Sequence, residues 1–260
     1  MMRRILLLGL GLMCGVLTGC SSPSEPHGWF PLQPGYHWSY QVTERVSEAV
    51  EERFGDAEAV TATHIRRFDV ETRAVASTDY FNDLLEGDSA PVFARYTSDG
   101  TRYFYSVTDE GVMQLGVQNL IEYRPRLRTE PLLTIPALDV LQHGISWNMP
   151  TRPYLLHSTQ SHVAWNRASN GFELTFELVE EGITLATPAG RFDNCILLEG
   201  RALIGLYADP RLGYQEVEVT QKEWYAPGVG LVRLERNEPM DLAMFKGGSV
   251  QFELVSFRSP

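Results

Sequence analysis

The chain has 260 residues, 33 acidic against 22 basic side chains, and a formal net charge of −11. So acidic a chain does not grip nucleic acid or anionic lipid through a basic surface, and no nucleic-acid partner is expected. Three cysteines are too few for a disulfide scaffold, so packing must hold the fold.

At the N-terminus, Arg3 and Arg4 precede an apolar run over residues 5–18 that contains Gly9, Gly11 and Gly15. A membrane-spanning helix needs about 20 apolar residues, so this run is too short to cross and has the length of a signal-peptide core. Leu17-Thr18-Gly19-Cys20 closes it, and Ser21-Ser22-Pro23-Ser24-Glu25-Pro26 follows. That order resembles a bacterial lipoprotein export signal. The resemblance implies cleavage after Gly19 and acylation of Cys20, with palmitate-type chains holding the protein on a membrane. Two or more chains anchor stably where one is marginal, since each buried CH₂ contributes about 0.8 kcal/mol. Ser21 stands where Asp would imply retention in the inner membrane, so the resemblance points to the outer membrane, facing the periplasm. An ordinary secretory signal with a coincidental cysteine is the alternative. The expected organisation is a signal peptide over 1–19, a tether over 20–27 and one β domain over 28–260. Loss of residues 1–19 leaves 20 basic against 33 acidic side chains, a net of −13, and removes Cys14. Cys195 then has no internal disulfide partner.

Beyond the tether, the apolar pattern has period two. Trp38, Tyr40 and Val42 alternate with polar residues, as do Phe68, Val70, Thr72 and Ala74. Phe172-Glu173-Leu174-Thr175-Phe176-Glu177-Leu178 has one wholly apolar face, and Val217/Val219 and Val250/Phe252/Leu254 repeat the pattern. Strands of this kind are half buried and belong to antiparallel sheets with one wet face. Turn signals separate them: Ser98-Asp99-Gly100, Asp109-Glu110-Gly111, Ser169-Asn170-Gly171, Pro188-Ala189-Gly190 and Pro227-Gly228. Helix signals are few. Val46, Val50 and Phe54 predict a short helix starting near Ser47, and Pro136 to Gly144 predicts another. The fold class expected is mainly β: a single curved antiparallel sheet forming an open or partly closed barrel-like domain with one to three short helices. Gly35-Tyr36-His37-Trp38 and Gly144-Ile145-Ser146-Trp147 share a spacing, which coincidence explains as well as duplication does.

Three segments are more specific together: Trp29-Phe30-Pro31-Leu32-Gln33-Pro34-Gly35-Tyr36-His37-Trp38-Ser39-Tyr40, Thr187-Pro188-Ala189-Gly190-Arg191-Phe192-Asp193-Asn194-Cys195, and Trp224-Tyr225-Ala226-Pro227-Gly228-Val229-Gly230-Leu231-Val232. In this order they resemble bacterial envelope lipoproteins related to the TapB-like group, a group with no agreed activity. The resemblance implies a curved antiparallel sheet with a partly barrel-like concavity, and transfers no catalytic residue. The chemistry of the segments is structural. Gly190, Pro227, Gly228 and Gly230 serve turns and close backbone approach, while Phe192, Trp224 and Tyr225 sit on the flanking strands. Cys195, alone on an apolar strand, reads as a core residue.

No catalytic constellation emerges. The histidines (His27, His37, His64, His143, His157, His162) lack zinc-ligand spacing, and no G-x-S-x-G elbow or phosphate-binding glycine loop occurs. Glu51-Glu52 and Glu180-Glu181 read as solvated surface. Arg124, Arg126 and Arg128 alternate, and on an extended strand they would share a face. They are either anion contacts or charges that keep an edge strand from unwanted pairing. Five Trp, 11 Tyr and 12 Phe either fill a β core or line a cavity. The expected function is that of a non-catalytic accessory or interaction module of the envelope, with no cofactor and no metal, in contact with a membrane and an envelope protein partner. The alternative is a carrier or sensor holding an apolar, lipid-like ligand in the concave face.

Overall fold

The computed structural model describes residues 28–48, 60–75, 79–85, 91–142, 144–158, 171–209, 213–240 and 245–260. The export signal, Cys20, the tether, His27, His143, His162 and the Ser169-Asn170 turn pair lie outside them. The elements begin with β1 (His37–Glu48), β2 (Val60–Ala74) and a 3₁₀ helix (Asp79–Leu84). A tight series follows: β3 (Phe93–Thr97), β4 (Arg102–Thr108), β5 (Gly111–Gln118) and β6 (Arg126–Pro136). After α1 (Leu138–Gln142) come β7 (Ser146–Thr151) and the two-residue β8 (His157–Ser158). The chain ends with β9 (Phe172–Thr187), β10 (Gly190–Asp209), β11 (Gly213–Ala226), β12 (Gly230–Glu238) and β13 (Phe245–Arg258).

One antiparallel sheet contains all of them, in the order β6-β5-β4-β3-β2-β1-β13-β12-β11-β10-β9-β7, with β8 attached to β13. Sheet neighbours are chain neighbours almost throughout, because tight turns such as Ser98-Asp99-Gly100 and Pro227-Gly228 fold each strand back on the last. Gly228, at φ 72°, takes the left-handed conformation that its turn needs. The first and last long strands then zip together, His37 facing Arg258 and Glu48 facing Lys246. The ends of the path, β6 and β7, approach each other without sharing a ladder. The molecule is therefore a mainly β, nearly closed antiparallel barrel of twelve strands with one seam, and α1 links the two seam strands.

The helix expected from Ser47 does not start there. Val46, Ser47 and Glu48 continue β1, laddered to β13 on one side and β2 on the other. Two backbone ladders outweigh a local four-residue spacing; residues 49–59 lie outside the described part. The second expected helix is present as α1, whose Leu141 is fully buried.

Side chains alone fill a barrel of about eight strands, and a wider one needs more. Here two chain segments cross the barrel and add buried side chains. The first, residues 28–33, enters beside the β11–β12 turn, where the Gly228 N–H donates to the Gly28 carbonyl at 2.6 Å. It runs to β3, where Arg95 Nη2 donates to the Pro31 carbonyl at 2.9 Å. It buries Phe30 and Leu32 in the main core. The second, residues 152–156, leaves the end of β7 and reaches β13 through β8. It buries Leu155 and Leu156. The three motif segments meet at the first crossing: Trp38, Tyr40, Cys195, Ala226 and Val232 form one buried cluster. Trp38 Nε1 donates to the Val229 carbonyl at 2.6 Å and the Tyr40 hydroxyl to the Leu231 carbonyl at 2.8 Å. Outside the barrel, Phe81 of the 3₁₀ helix covers Ala94, Phe104 and Leu115.

Candidate functional site

β11 carries Val217, Val219, Gln221, Glu223 and Tyr225 on alternate positions, so all five point to the barrel interior. Two valines join the core, but the next two positions put an amide and a carboxyl where apolar side chains would be expected. Buried polar groups persist only when hydrogen-bonded. Glu223 accepts from the Tyr225 hydroxyl at 2.6 Å and from Gln221 Nε2. Burial pushes its carboxyl above the ordinary glutamate range, while those two bonds and the nearby Arg236 charge pull it down. Burial also raises Tyr225 well above an ordinary phenol, and the neighbouring Glu223 adds to this.

β12 repeats the device with Leu234, Arg236 and Glu238. The two charged side chains are each 1% exposed. Arg236 Nε donates to Glu238 Oε1 at 2.6 Å, Nη1 to Gln221 Oε1 at 2.9 Å and to Thr151 Oγ1 at 3.0 Å, and Nη2 to the Arg152 carbonyl at 2.9 Å. Glu238 in turn accepts the backbone N–H groups of Tyr154, Leu155 and Leu156, the last two at 2.8 Å. The pair therefore latches the second crossing and stacks the guanidinium 4.2 Å from the Tyr154 ring.

Between this latch and the seam lies a cavity of about 380 Å³. Its polar wall includes Tyr103, Gln114, Arg128, Tyr154, Glu223 and Tyr225, and its apolar wall Trp147, Met149, Leu174, Phe176 and Leu234. The walls come from both sides of the seam: Arg128 and Thr134 from β6, Trp147 and Met149 from β7. Trp147 stacks on Phe176 with ring centroids 5.7 Å apart, and Phe176 lies over Gly200, where any Cβ would meet the ring at 2.6 Å. Gly200 is thus required for close approach, and it fixes the ring pair that forms the cavity floor. Trp147 is 7% exposed, yet its indole Nε1–H has no acceptor among the described residues.

Arg128 is the charged group on the seam side. Its Nε donates to Gln114 Oε1 at 2.8 Å and its Nη2 bonds the same oxygen. Half-burial depresses its pKa, and the phenol of Tyr105 is what opposes this; no carboxylate among the described residues pairs with it. The three alternating arginines do not act together. Arg124 lies in the bend before β6, because β6 begins at Arg126, after Pro125, which has no N–H for a ladder. The expectation that all three share a strand face is corrected accordingly. Arg126 pairs with Glu122 at 2.6 Å on the surface. Arg128 alone reaches the cavity, on a strand that is one end of the sheet path.

The remaining motif residues sit elsewhere. Gly190, at φ 140°, opens β10 just after its hairpin turn, Gly228 occupies the β11–β12 turn, and Gly230 lies with the Pro31 ring against it. Cys195 is fully buried, and burial raises its thiol pKa. Phe192 packs on the same cluster, and Trp224 lies 6.0 Å from the Arg233 guanidinium. Of these residues only Tyr225 reaches the cavity. No group of three or more His, Cys, Asp or Glu side chains converges among the described residues.

Comparison with protein families and with curated proteins finds no match. Among solved structures, the chain is similar to a protein from Parabacteroides distasonis described as a candidate lipoprotein. The identity is 12% and the TM-score 0.34, over 88% of this chain and 98% of that one. It is also similar to a candidate exported protein with a YmcC-like fold from Bacteroides fragilis, at 16% identity and TM-score 0.32 over 89% and 99%.

Proposed function

We propose that this chain is a bacterial envelope lipoprotein, anchored through acyl chains on Cys20 and facing the periplasm from the outer membrane. Its barrel is a non-catalytic binding module. The Leu17-Thr18-Gly19-Cys20 signal supports the anchor, and the kinship with envelope lipoproteins related to the TapB-like group rests on the three motif segments. The observation that carries the binding role is the seam cavity, whose volume of about 380 Å³ lies within the ~300–1,000 Å³ range of small-molecule sites. The ligand is small and amphipathic. The cavity wall carries hydroxyl, amide, carboxyl and guanidinium groups, so a long acyl chain is a poor fit for it.

Native mass spectrometry of the full chain released from bacterial envelopes tests this reading. A discrete adduct of metabolite mass on the acylated protein is expected, and Cys20→Ala should abolish acylation and release the protein from membranes. Acylated protein carrying no adduct would overturn the binding role, and an unacylated wild type would overturn the anchor.

A second reading, docking to an envelope protein, is favoured by the β5–β6 connection, where Leu120, Ile121 and Tyr123 are 77%, 95% and 95% exposed. Replacing all three with Ser should reduce recovery of the chain in cross-linked envelope complexes; unchanged complexes would remove this reading.

A further inference from the structure

The cavity has a charge imbalance. Among the described residues, the interior-facing charged side chains around it are Arg95, Arg128 and Arg236 against Glu223 and Glu238. Even with Glu223 counted as ionised, one positive charge is left over, inside a chain whose net charge is −11. Arg236 is matched by Glu238. Arg95 lies between the Phe30 and Trp38 rings, 3.4 and 4.8 Å from their centroids. Arg128 is the surplus group that meets the cavity. It spends Nε and Nη2 on one neutral amide oxygen, and its Nη1 has no acceptor among the described residues. Trp147, on the opposite side of the seam, adds a buried indole N–H that likewise has no acceptor among the described residues. A half-buried guanidinium and the Trp147 ring, whose buried N–H has no acceptor among the described residues, line the same space as Met149, Leu174 and Phe176.

We propose that the seam cavity binds a small amphipathic carboxylate, its oxygens held by Arg128 and Trp147 and its apolar body resting on Met149, Leu174 and Phe176. This rests on the cavity reading above. A planar guanidinium matches a carboxylate geometrically, and an ionised acceptor forms shorter, stronger bonds than a neutral one. Glu223 is compatible with this occupant: its two oxygens already accept from Tyr225 and Gln221, it lies next to Arg236, and its environment favours the neutral acid. An ammonium ligand would face the reverse arrangement, a free cation at the seam and a carboxyl already satisfied.

The test is calorimetric titration of the full chain in detergent micelles, against protein-free micelles, with three probes of one shape: 4-phenylbutyrate, 4-phenylbutan-1-ol and 4-phenylbutylamine. The acid should bind about tenfold or more tighter than the alcohol, with the amine weakest, the difference expected of a charge-assisted pair. Arg128→Gln should weaken the acid about tenfold and leave the alcohol unchanged; Arg126→Gln, on the surface, should change neither. Met149→Trp, which fills the cavity, should remove both acid and alcohol binding. Equal affinities for acid, alcohol and amine, or an Arg128→Gln protein that binds the acid as before, would overturn the carboxylate while leaving a ligand cavity in place. Acid binding that survives Met149→Trp would overturn the location. Failure of all three probes on a protein with an unchanged melting transition would overturn both this inference and the cavity reading.

Discussion

Two segments cross the barrel, each is held by one arginine, and the arginines work by opposite means. Residues 152–156 are latched by Arg236 through a carboxylate, an amide, a hydroxyl and a carbonyl, while Glu238 collects three backbone N–H groups. Residues 28–33 are held by Arg95 through two aromatic faces and one carbonyl, with its Nε lacking a partner among the described residues. The first latch is a network in which every member needs the others. The second is a stack from which a charge can be removed with little left stranded. The cavity lies beside the network, where Thr151 and Tyr154 of the latched crossing form part of its wall. The stack lies among the motif segments, so these segments serve the entry of the chain into the barrel rather than the site.

The largest effect that would expose this difference is at Glu238. Glu238→Ala leaves a buried guanidinium and three amides without partners and should cost about 3–5 kcal/mol, read as a lower denaturant midpoint. Arg236→Met/Glu238→Leu should cost less than Glu238→Ala, and additivity of the two sites would break the network account. Next comes the cavity floor. Gly200→Ala drives a methyl into the Phe176 ring and should cost about 1–3 kcal/mol, with altered tryptophan emission from the stacked Trp147. Arg95→Met keeps the shape of the stack and strands only the Pro31 carbonyl, so a loss of about 1 kcal/mol is expected. A loss equal to that of Glu238→Ala would erase the contrast between the two arginines.

The smallest effect is a pH dependence. The folded-state pKa of Glu223 is raised, so its contribution is full below the ordinary glutamate value near 4.5 and is lost as pH rises through the folded value. Asp69, Asp99 and Asp193, which have lowered values, act in the opposite sense and only at more acidic pH. The melting temperature should therefore fall with rising pH just above 4.5, and Glu223→Gln should flatten that slope. An identical slope in the variant would mean that Glu223 ionises as freely folded as unfolded.

The barrel was legible because its cause is local. Alternation in Trp38–Tyr40–Val42 and Phe172–Leu178, with Asp-Gly and Pro-Gly turns between strands, already requires an antiparallel meander. The continuation of β1 through Ser47 was not legible, since it depends on the partners that β13 and β2 supply. Of the site, Tyr225 and Arg128 stood out in the sequence, but for other reasons: one within a motif, one within an arginine alternation that the bend at Arg124 cuts short. Glu223 and Glu238 carried a readable signal. Continuing the alternation of Val217 and Val219 puts Gln221 and Glu223 on the apolar face, and continuing that of Val232 does the same for Arg236 and Glu238. Polar residues in phase with a core face mark an interior network. Trp147 had no such signal, because only the closing of the sheet brings β7 opposite β6.

The most direct test is a crystal structure of the full chain with 4-phenylbutyrate. The account predicts the carboxylate within hydrogen-bonding distance of Arg128 Nη1 and Trp147 Nε1, and the ring against Phe176. The same probe bound outside the barrel, or in the cavity with its carboxylate turned away from Arg128, would contradict it.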